Sequence, residues 1–168
     1  MATRNGDRYR VVRATRKHLE MLTELFDSYL SFYRCNHDRE RVKTFLTARL
    51  LRKESALFVA LEGTGSATRA VGFAQLYPTF SSLRLSRMWV LNDLYTIPSC
   101  RRSGVAHLLL AAAHTMAVGT SASHLELITE RSNGAAQRVY ESVGFRRDDR
   151  FCRYEQELVD AEHPAMLA

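Results

Sequence analysis

Apolar residues along the chain follow two periods. Residues 9–14 form a short β-prone run, after which Leu19, Leu22, Leu25, Phe26, Tyr29 and Leu30 recur at the three- and four-residue spacing of one helix face. Thr15 offers an N-cap, and this helix is expected to end near Arg34. A second helix, capped by Asn36 or Asp38, carries Val42, Phe45, Leu46, Arg49 and Leu50 at the same spacing. The period then shortens. Residues 57–61 and 70–77 read as strands joined by the polar turn GTGSAT at 63–68, which lacks a third glycine and leads into a strand, so it is no dinucleotide fingerprint. Pro78 and the Ser81-Ser82 pair mark a corner, and 83–97 should be the central strand region. Residues 104–118 return to helical spacing, with Val105, Leu108, Leu109, Ala112, Ala113 and Met116 as the buried stripe and Gly119 just past the end. A strand at 125–129, a helix at 133–143 stopped by Gly144, and one or two strands within 145–158 complete the pattern. The order β-α-α-β-β-β-α-β-α-β predicts a mixed α/β sheet whose ligands sit at strand-loop-helix junctions.

Composition adds limits. The 168 residues, 46% hydrophobic and 25% charged with 8 Gly and 3 Pro, suit a single domain, with its core at about 9–158 and a tail at 159–168. A chain this long buries about 70% of the surface its unfolded form exposes, so it needs neither disulfides nor a structural metal. Cys35, Cys100 and Cys152 are odd in number and far apart, without metal-ligand spacing, and read as thiols of a reducing compartment; no metal is expected. The first ten residues are polar and basic with no apolar core after them, and the longest apolar run, 108–113, falls far short of the ~20 residues of a membrane span. The expectation is a cytoplasmic protein without membrane contact. A net charge of +6 favours an anionic partner. Because the basic residues come in ones and twos, as at Arg16-Lys17, Arg52-Lys53, Arg101-Arg102 and Arg146-Arg147, nucleic acid ranks last and a phosphorylated small molecule ranks higher.

Two segments carry chemistry. The first runs from the end of the central strand, Asn92-Asp93-Leu94-Tyr95-Thr96, through Arg101-Arg102-Ser103-Gly104-Val105-Ala106 into a helix. A small-residue turn at a helix start aims unpaired N–H groups and the positive end of the helix dipole at one point, which suits pyrophosphate. Read alone, it is also a helix that begins on a packing glycine beside two arginines. In the second segment Asn133, Ala136, Gln137 and Tyr140 share one helical face and would carry an amide and a phenol toward one cleft. Taken alone, that face is an N-capping Asn and a core Tyr.

In this order and spacing the two segments resemble the acetyl-CoA-binding half of the Gcn5-related N-acetyltransferase (GNAT) superfamily. Arg101, Gly104 and Ala106 match its Arg/Gln-x-x-Gly-x-Gly/Ala motif, and Asn133, Ala136, Tyr140, Gly144 and Phe145 match its later pattern, with Val139 in place of Leu. The departures are Arg102 where the family often has Gly, and Ala106 where Gly is common. The resemblance implies a mostly antiparallel mixed sheet of six or seven strands flanked by about four helices, with splayed central strands forming the cofactor cleft. It implies acetyl-CoA as co-substrate, its pantetheine arm along the backbone of Leu94, Tyr95 and Thr96 and its pyrophosphate on Arg101, Arg102, Ser103, Gly104, Val105 and Ala106. Asn133 and Ala136 would line the arm or the loop, and Tyr140 would lie near the thioester sulfur. A homodimer is expected, as is frequent in the family.

Within that reading an amine of pKa near 10.4, mostly protonated at pH 7, must lose a proton before it attacks the thioester. Asp93 or Glu126 would take it directly or through water, Tyr140 would protonate the departing thiolate, and a backbone N–H near Leu94 would face the developing oxyanion. Each carboxylate has a plainer reading, Asp93 as a strand-end hydrogen-bond acceptor and Glu126 as a solvent-facing strand residue. His107 and His114 read as surface residues. The expected activity is acetyl transfer to a small-molecule primary amine in a ternary complex, with polyamines and amino-acid-like compounds among the acceptors. Acetylation of a protein lysine or N-terminus, or an idle CoA-binding module, are the alternatives.

Overall fold

A computed structural model describes residues 8–35 and 37–156. One open sheet has the order β1-β2-β3-β4-β5, built from β1 (Tyr9–Arg13), β2 (Ala56–Glu62), β3 (Arg69–Ser81), β4 (Ser86–Thr96) and β5 (His124–Leu127). The first four strands pair antiparallel and β5 joins β4 in parallel. Helices α1 (Leu19–Phe32) and α2 (Arg39–Arg52) cover one face; α3 (Val105–Gly119) packs on the other, and α4 (Gly134–Ser142) follows β5.

Each helix starts where local chemistry stops a strand or loop. Thr15 is extended and, through its backbone N–H, donates to His18 Nδ1 at 3.0 Å, so a short 3-10 turn at Arg16–His18 leads into α1. The Asp38 carboxylate caps α2 by accepting from the Arg41 N–H; Asn36, the other cap considered, lies outside the described residues. On the α1 side Leu22, Leu25, Phe26, Val42 and Leu46 close over Leu57, Val59, Phe73 and Tyr95, with Phe26 stacked on Phe73 at 4.2 Å. On the other side Val105, Leu109, Leu110, Ala113 and Ala117 of α3 meet Val71, Ala74, Leu76, Trp89 and Leu91. The buried stripe of α3 is therefore rotated from the expected one, with Leu108, Ala112 and Met116 at its half-buried margin. Full burial of one such side chain contributes about 1.5–3 kcal/mol before ordering costs.

Three strand expectations change. β3 runs through Pro78 to Ser81, because β2 pairs with it only as far as Leu76, and beyond that point β3 is an edge that tolerates a missing donor. The expected strand at 125–129 is the shorter β5. The sheet has five strands among the described residues, not six or seven, since 145–156 form no ladder; residues 157 and 158 lie outside the description. Six of the eight residues at 146–153 are charged. They pair locally, Arg147 with Asp149 and Arg150 with Asp148. Phe151 and Tyr154, three apart, would point to opposite faces of a strand, and they stand 74% and 92% exposed.

Gly72 ties this frame to the functional end of the sheet. A Cβ there would lie 2.6 Å from the Tyr95 carbonyl oxygen and 3.1 Å from Val105 Cγ1, at the point where β3, β4 and the start of α3 meet. Gly72→Ala is expected to lower unfolding free energy by about 1–3 kcal/mol, read as a lower urea midpoint with an unchanged slope.

Candidate active site

The site starts from a defect in strand pairing. β4 pairs with β5 only over Met88–Leu91, opposite His124–Leu127. In the other direction the β3 register passes from Gln75↔Asp93 to Leu76↔Leu91, so Asn92 is an extra residue, a bulge. Bulges bend a strand and increase its twist, and β4 beyond Asn92 runs on to Thr96 with no partner on its β5 side among the described residues. Leu94, Tyr95 and Thr96 lie on this open edge. Their side chains diverge: Leu94 packs toward α3, Tyr95 is buried toward α1, and Thr96 Oγ1 is buried with no hydrogen-bond partner among the described residues.

The bulge also chooses the face of Asp93. Strict alternation from Leu91, which packs toward α3, would put Asp93 on the α3 side; the extra residue turns it to the α1 side instead. There Asp93 is 8% exposed, and its two oxygens accept from neutral donors, Oδ1 from the Tyr29 hydroxyl at 2.8 Å and Oδ2 from Asn92 Nδ2 at 3.1 Å. Burial raises its pKa, and the hydrogen bonds from Asn92 and Tyr29 oppose that rise. Gln75, fully buried opposite it on β3, donates to Ser55 Oγ at 3.0 Å.

Four phenols are electrostatically linked to Asp93 or to one another. Burial pushes Tyr140 and Tyr77 up to about 12, helped by Tyr33 in the first case and by Asp93 in the second. Tyr33 is raised by burial and by the charges of Glu130 and Asp93. Tyr29, raised by burial and by Asp93, also feels Tyr140, which places α1, β4 and α4 around one space. Tyr140 sits half-buried, its ring edge-on to Phe145 at 5.9 Å. A depression of about 450 Å³ lies between the end of α1 and the start of α4, lined by Phe32, Tyr33, Arg34, Glu130, Ser132 and Asn133. A second, of about 410 Å³, lies between Arg13, Arg16 and Lys53 and holds none of the residues expected from the sequence.

At the far end of the open edge, Arg102 and Gly104 both have positive φ, 59° and 90°, and Gly104 is the N-cap of α3. The first N–H groups of that helix have no carbonyl of their own to bond, so they face out of a concave loop, an arrangement suited to an anion. Ser103 Oγ steadies the loop by donating to the Cys100 carbonyl at 2.5 Å. Arg101 donates from Nε to the Thr96 carbonyl at 3.3 Å and lies over the Phe32 ring. Ala106 leaves the first turn small. Asn133 caps α4, Oδ1 accepting from the Ala136 N–H at 3.1 Å, and Gln137 Nε2 holds the preceding loop through the Glu130 and Arg131 carbonyls.

Asp93 and Tyr140 both act on Tyr29, and the open edge of β4 runs from Asp93 toward the loop at 101–106. Glu126 does not join Asp93: it stands opposite Val90 with its side chain 53% exposed, 3.9 Å from His124 Nε2. His107 and His114 are exposed, His107 within 3.1 Å of Ser142 Oγ. Tyr29 and Tyr33 were legible only as an apolar position and as a helix end, and nothing in their spacing marks them as site residues. Among the described residues no three His, Cys, Asp or Glu side chains are grouped to hold a metal ion, and no helix is long and apolar enough to cross a membrane.

The chain is similar to known proteins over most of its length. It is 39% identical over 133 residues, 79% of this chain and 87% of the relative, to an uncharacterized N-acetyltransferase, YhfO, of Bacillus subtilis (strain 168). The crystal structure of a probable acetyltransferase superposes with a TM-score of 0.82 at 44% identity, covering 90% of this chain and 99% of that one. An aminoglycoside N-acetyltransferase, AAC(6')-Iy, in complex with CoA shares the fold at a TM-score of 0.74 and 21% identity, over 89% of this chain and 95% of its own. Residues 21–145 match the acetyltransferase (GNAT) family, and with the relatives named N-acetyltransferase this shows that the chain belongs to that family of acyl-CoA-dependent acetyltransferases.

Proposed function

We propose that the protein transfers the acetyl group of acetyl-CoA to a primary amine of a small molecule, by direct attack in a ternary complex. The observation that carries the reading is the unpartnered edge of β4 after Leu91, which starts beside Asp93 and ends at the positive-φ loop before α3. An amide-bearing pantetheine arm adds to such an edge as a strand would, through backbone groups of Leu94, Tyr95 and Thr96. The pyrophosphate then meets the N–H groups from Arg102 to Ala106 with Arg101 beside it, and Asn133 and Ala136 bound the arm from α4. The CoA complex of the aminoglycoside N-acetyltransferase supports this cofactor, and its name supports a small amine as acceptor.

The amine enters the recess of phenols above Asp93. The Asp93 carboxylate takes a proton from the bound ammonium and passes it to solvent. The neutral nitrogen then attacks the thioester carbon, and the proton it sheds as the C–N bond forms goes to the same carboxylate. Burial makes this carboxylate a stronger base than one in water. Glu126, half in solvent, is the poorer candidate. The oxyanion is met by a backbone N–H of the β4 edge near Leu94. When the C–S bond breaks, Tyr140 gives its hydroxyl proton to the CoA thiolate and regains one from solvent. With its pKa raised to about 12, that phenol stays protonated through the working range. The reaction needs no acyl-enzyme. Assembly as a homodimer would cover the exposed Phe151 and Tyr154.

Calorimetric titration with acetyl-CoA and a thiol-release assay over polyamines, amino acids, aminoglycosides and lysine peptides test the reading. Micromolar binding with turnover on one small-amine class is expected; turnover on the peptides alone would overturn the acceptor class. Tyr140→Phe should lower turnover about 100-fold with cofactor affinity unchanged, evenly from pH 7 to 10. Gly104→Glu should abolish acetyl-CoA binding through bulk, backbone strain and like charge; retained affinity would remove the loop from the phosphate site.

A further inference from the structure

We infer that Tyr29, on α1, is a positioning residue that holds the Asp93 carboxylate in place as the proton acceptor. The inference rests on the reading of Asp93 as the base, and it adds a residue that no sequence motif marks. The two are 64 positions apart in the chain, and the hydroxyl meets Oδ1 at 2.8 Å.

The Tyr29 ring already has its packing partners, edge-on to Phe26 at 6.0 Å, Tyr33 at 5.1 Å, Phe73 at 5.5 Å and Tyr95 at 5.8 Å. A phenylalanine would make the same contacts, so packing alone gives no reason for a hydroxyl. The hydroxyl is directed at the one carboxylate that the bulge has turned toward α1. Donation to an ionised acceptor favours the charged form over the protonated one, because a protonated oxygen is a weaker acceptor. Burial acts the other way and favours the protonated form, which cannot serve as a base. Tyr29 keeps its proton throughout, since burial and the Asp93 charge both raise it, and thus remains a donor at every pH at which the enzyme works.

The other groups facing this carboxylate do not supply the same bond. From α1, Tyr33 feels the Asp93 charge, with burial and Glu130 as its larger influences. From β3, Gln75 turns its amide to Ser55, and Tyr77 is acted on by Asp93 together with Arg49 and Glu54, which pair with each other at 2.7 Å. From β4 itself, Asn92 donates to the second oxygen, and from α4, Tyr140 acts on Tyr29. The two donors to Asp93 among the described residues are neutral and come from the bulge and from α1, so neither weakens the base as a cation would.

The test needs no knowledge of the acceptor. Protein labelled with ¹³C at aspartate carboxyls is titrated by NMR, the Asp93 signal being assigned by its loss in Asp93→Asn. Tyr29→Phe should raise the Asp93 midpoint by about one pH unit, the scale of one charge-assisted hydrogen bond; an unmoved midpoint overturns the inference. Should Tyr29→Phe not fold, a Tyr29 hydroxyl proton whose shift follows the Asp93 titration in the wild-type protein supports it, and a hydroxyl signal indifferent to that titration overturns it. Turnover with acetyl-CoA and kanamycin A or spermidine separates the two layers. Wild-type activity in Asp93→Asn would overturn the base itself, whereas an inactive Asp93→Asn beside a Tyr29→Phe whose acid limb has not moved would overturn only the role of Tyr29.

Discussion

β4 belongs to two strand pairs that do not agree on its course. With β5 it keeps a parallel register for four residues, and with β3 it keeps an antiparallel one throughout, but only by inserting Asn92. Once the extra residue has bent the strand, β5 cannot follow. The chain from Leu94 to Thr96 is then left as a strand edge inside the molecule's working face, and a backbone N–H or C=O kept from water without a partner costs about 1–3 kcal/mol. An edge in that condition favours any ligand that supplies the missing amide bonds. The loop before α3 and Asp93 lie at the two ends of this edge, so both take their positions from the same parting of strands.

The bulge has a second effect on the opposite face. By shifting the alternation of β4 it sends Leu91 and Leu94 toward α3 and Asp93 and Tyr95 toward α1. One inserted residue thus accompanies the open edge of β4 and turns a carboxylate into the aromatic cluster of Tyr29, Tyr33 and Phe73. The stacked Phe26 and Phe73 rings beneath keep α1 at a fixed height over the sheet. Packing at the core and hydrogen bonding at the site are therefore coupled through one helix.

Local patterns made much of this legible. Helical spacing located α1, α2 and α3 through the side chains each buries, and α4 through its apolar spacing. Thr15 precedes a 3-10 turn and His18 is the N-cap of α1, whereas the caps at Asp38 and Asn133 were readable because a side-chain oxygen near a helix start has few other roles. The loop at 101–106 was legible for the same reason: Gly104 at φ 90° is a conformation that a side chain resists. The bulge was not legible, since it arises from a disagreement between two neighbours that only the assembled sheet brings together. Tyr29 looked like a core residue because it is one, and its hydroxyl acquires meaning only across the 64 residues to Asp93. At 145–158 aromatic residues among charges imitated strand alternation, but a strand also needs a ladder partner, and 145–156 have none among the described residues.

The net charge of +6 takes on sense once it is divided over the site. Arg101 and Arg102 lie at the loop before α3, where the helix dipole adds to their field. Around Asp93 the hydrogen-bond donors among the described residues are a phenol and an amide, Gln75 lies opposite on β3, and Tyr33 and Tyr77 feel its charge. In the proposed reaction an anionic cofactor would be drawn to one end of the site by charge, while the other end, where an amine must become neutral to react, holds a carboxylate whose donors among the described residues are both neutral. Arginine in place of Tyr29 would hold the carboxylate more firmly, yet it would lower its basicity and repel a cationic amine. Under the proposed role of Asp93, a neutral donor orients the base without either effect, which would account for a tyrosine at this position on α1.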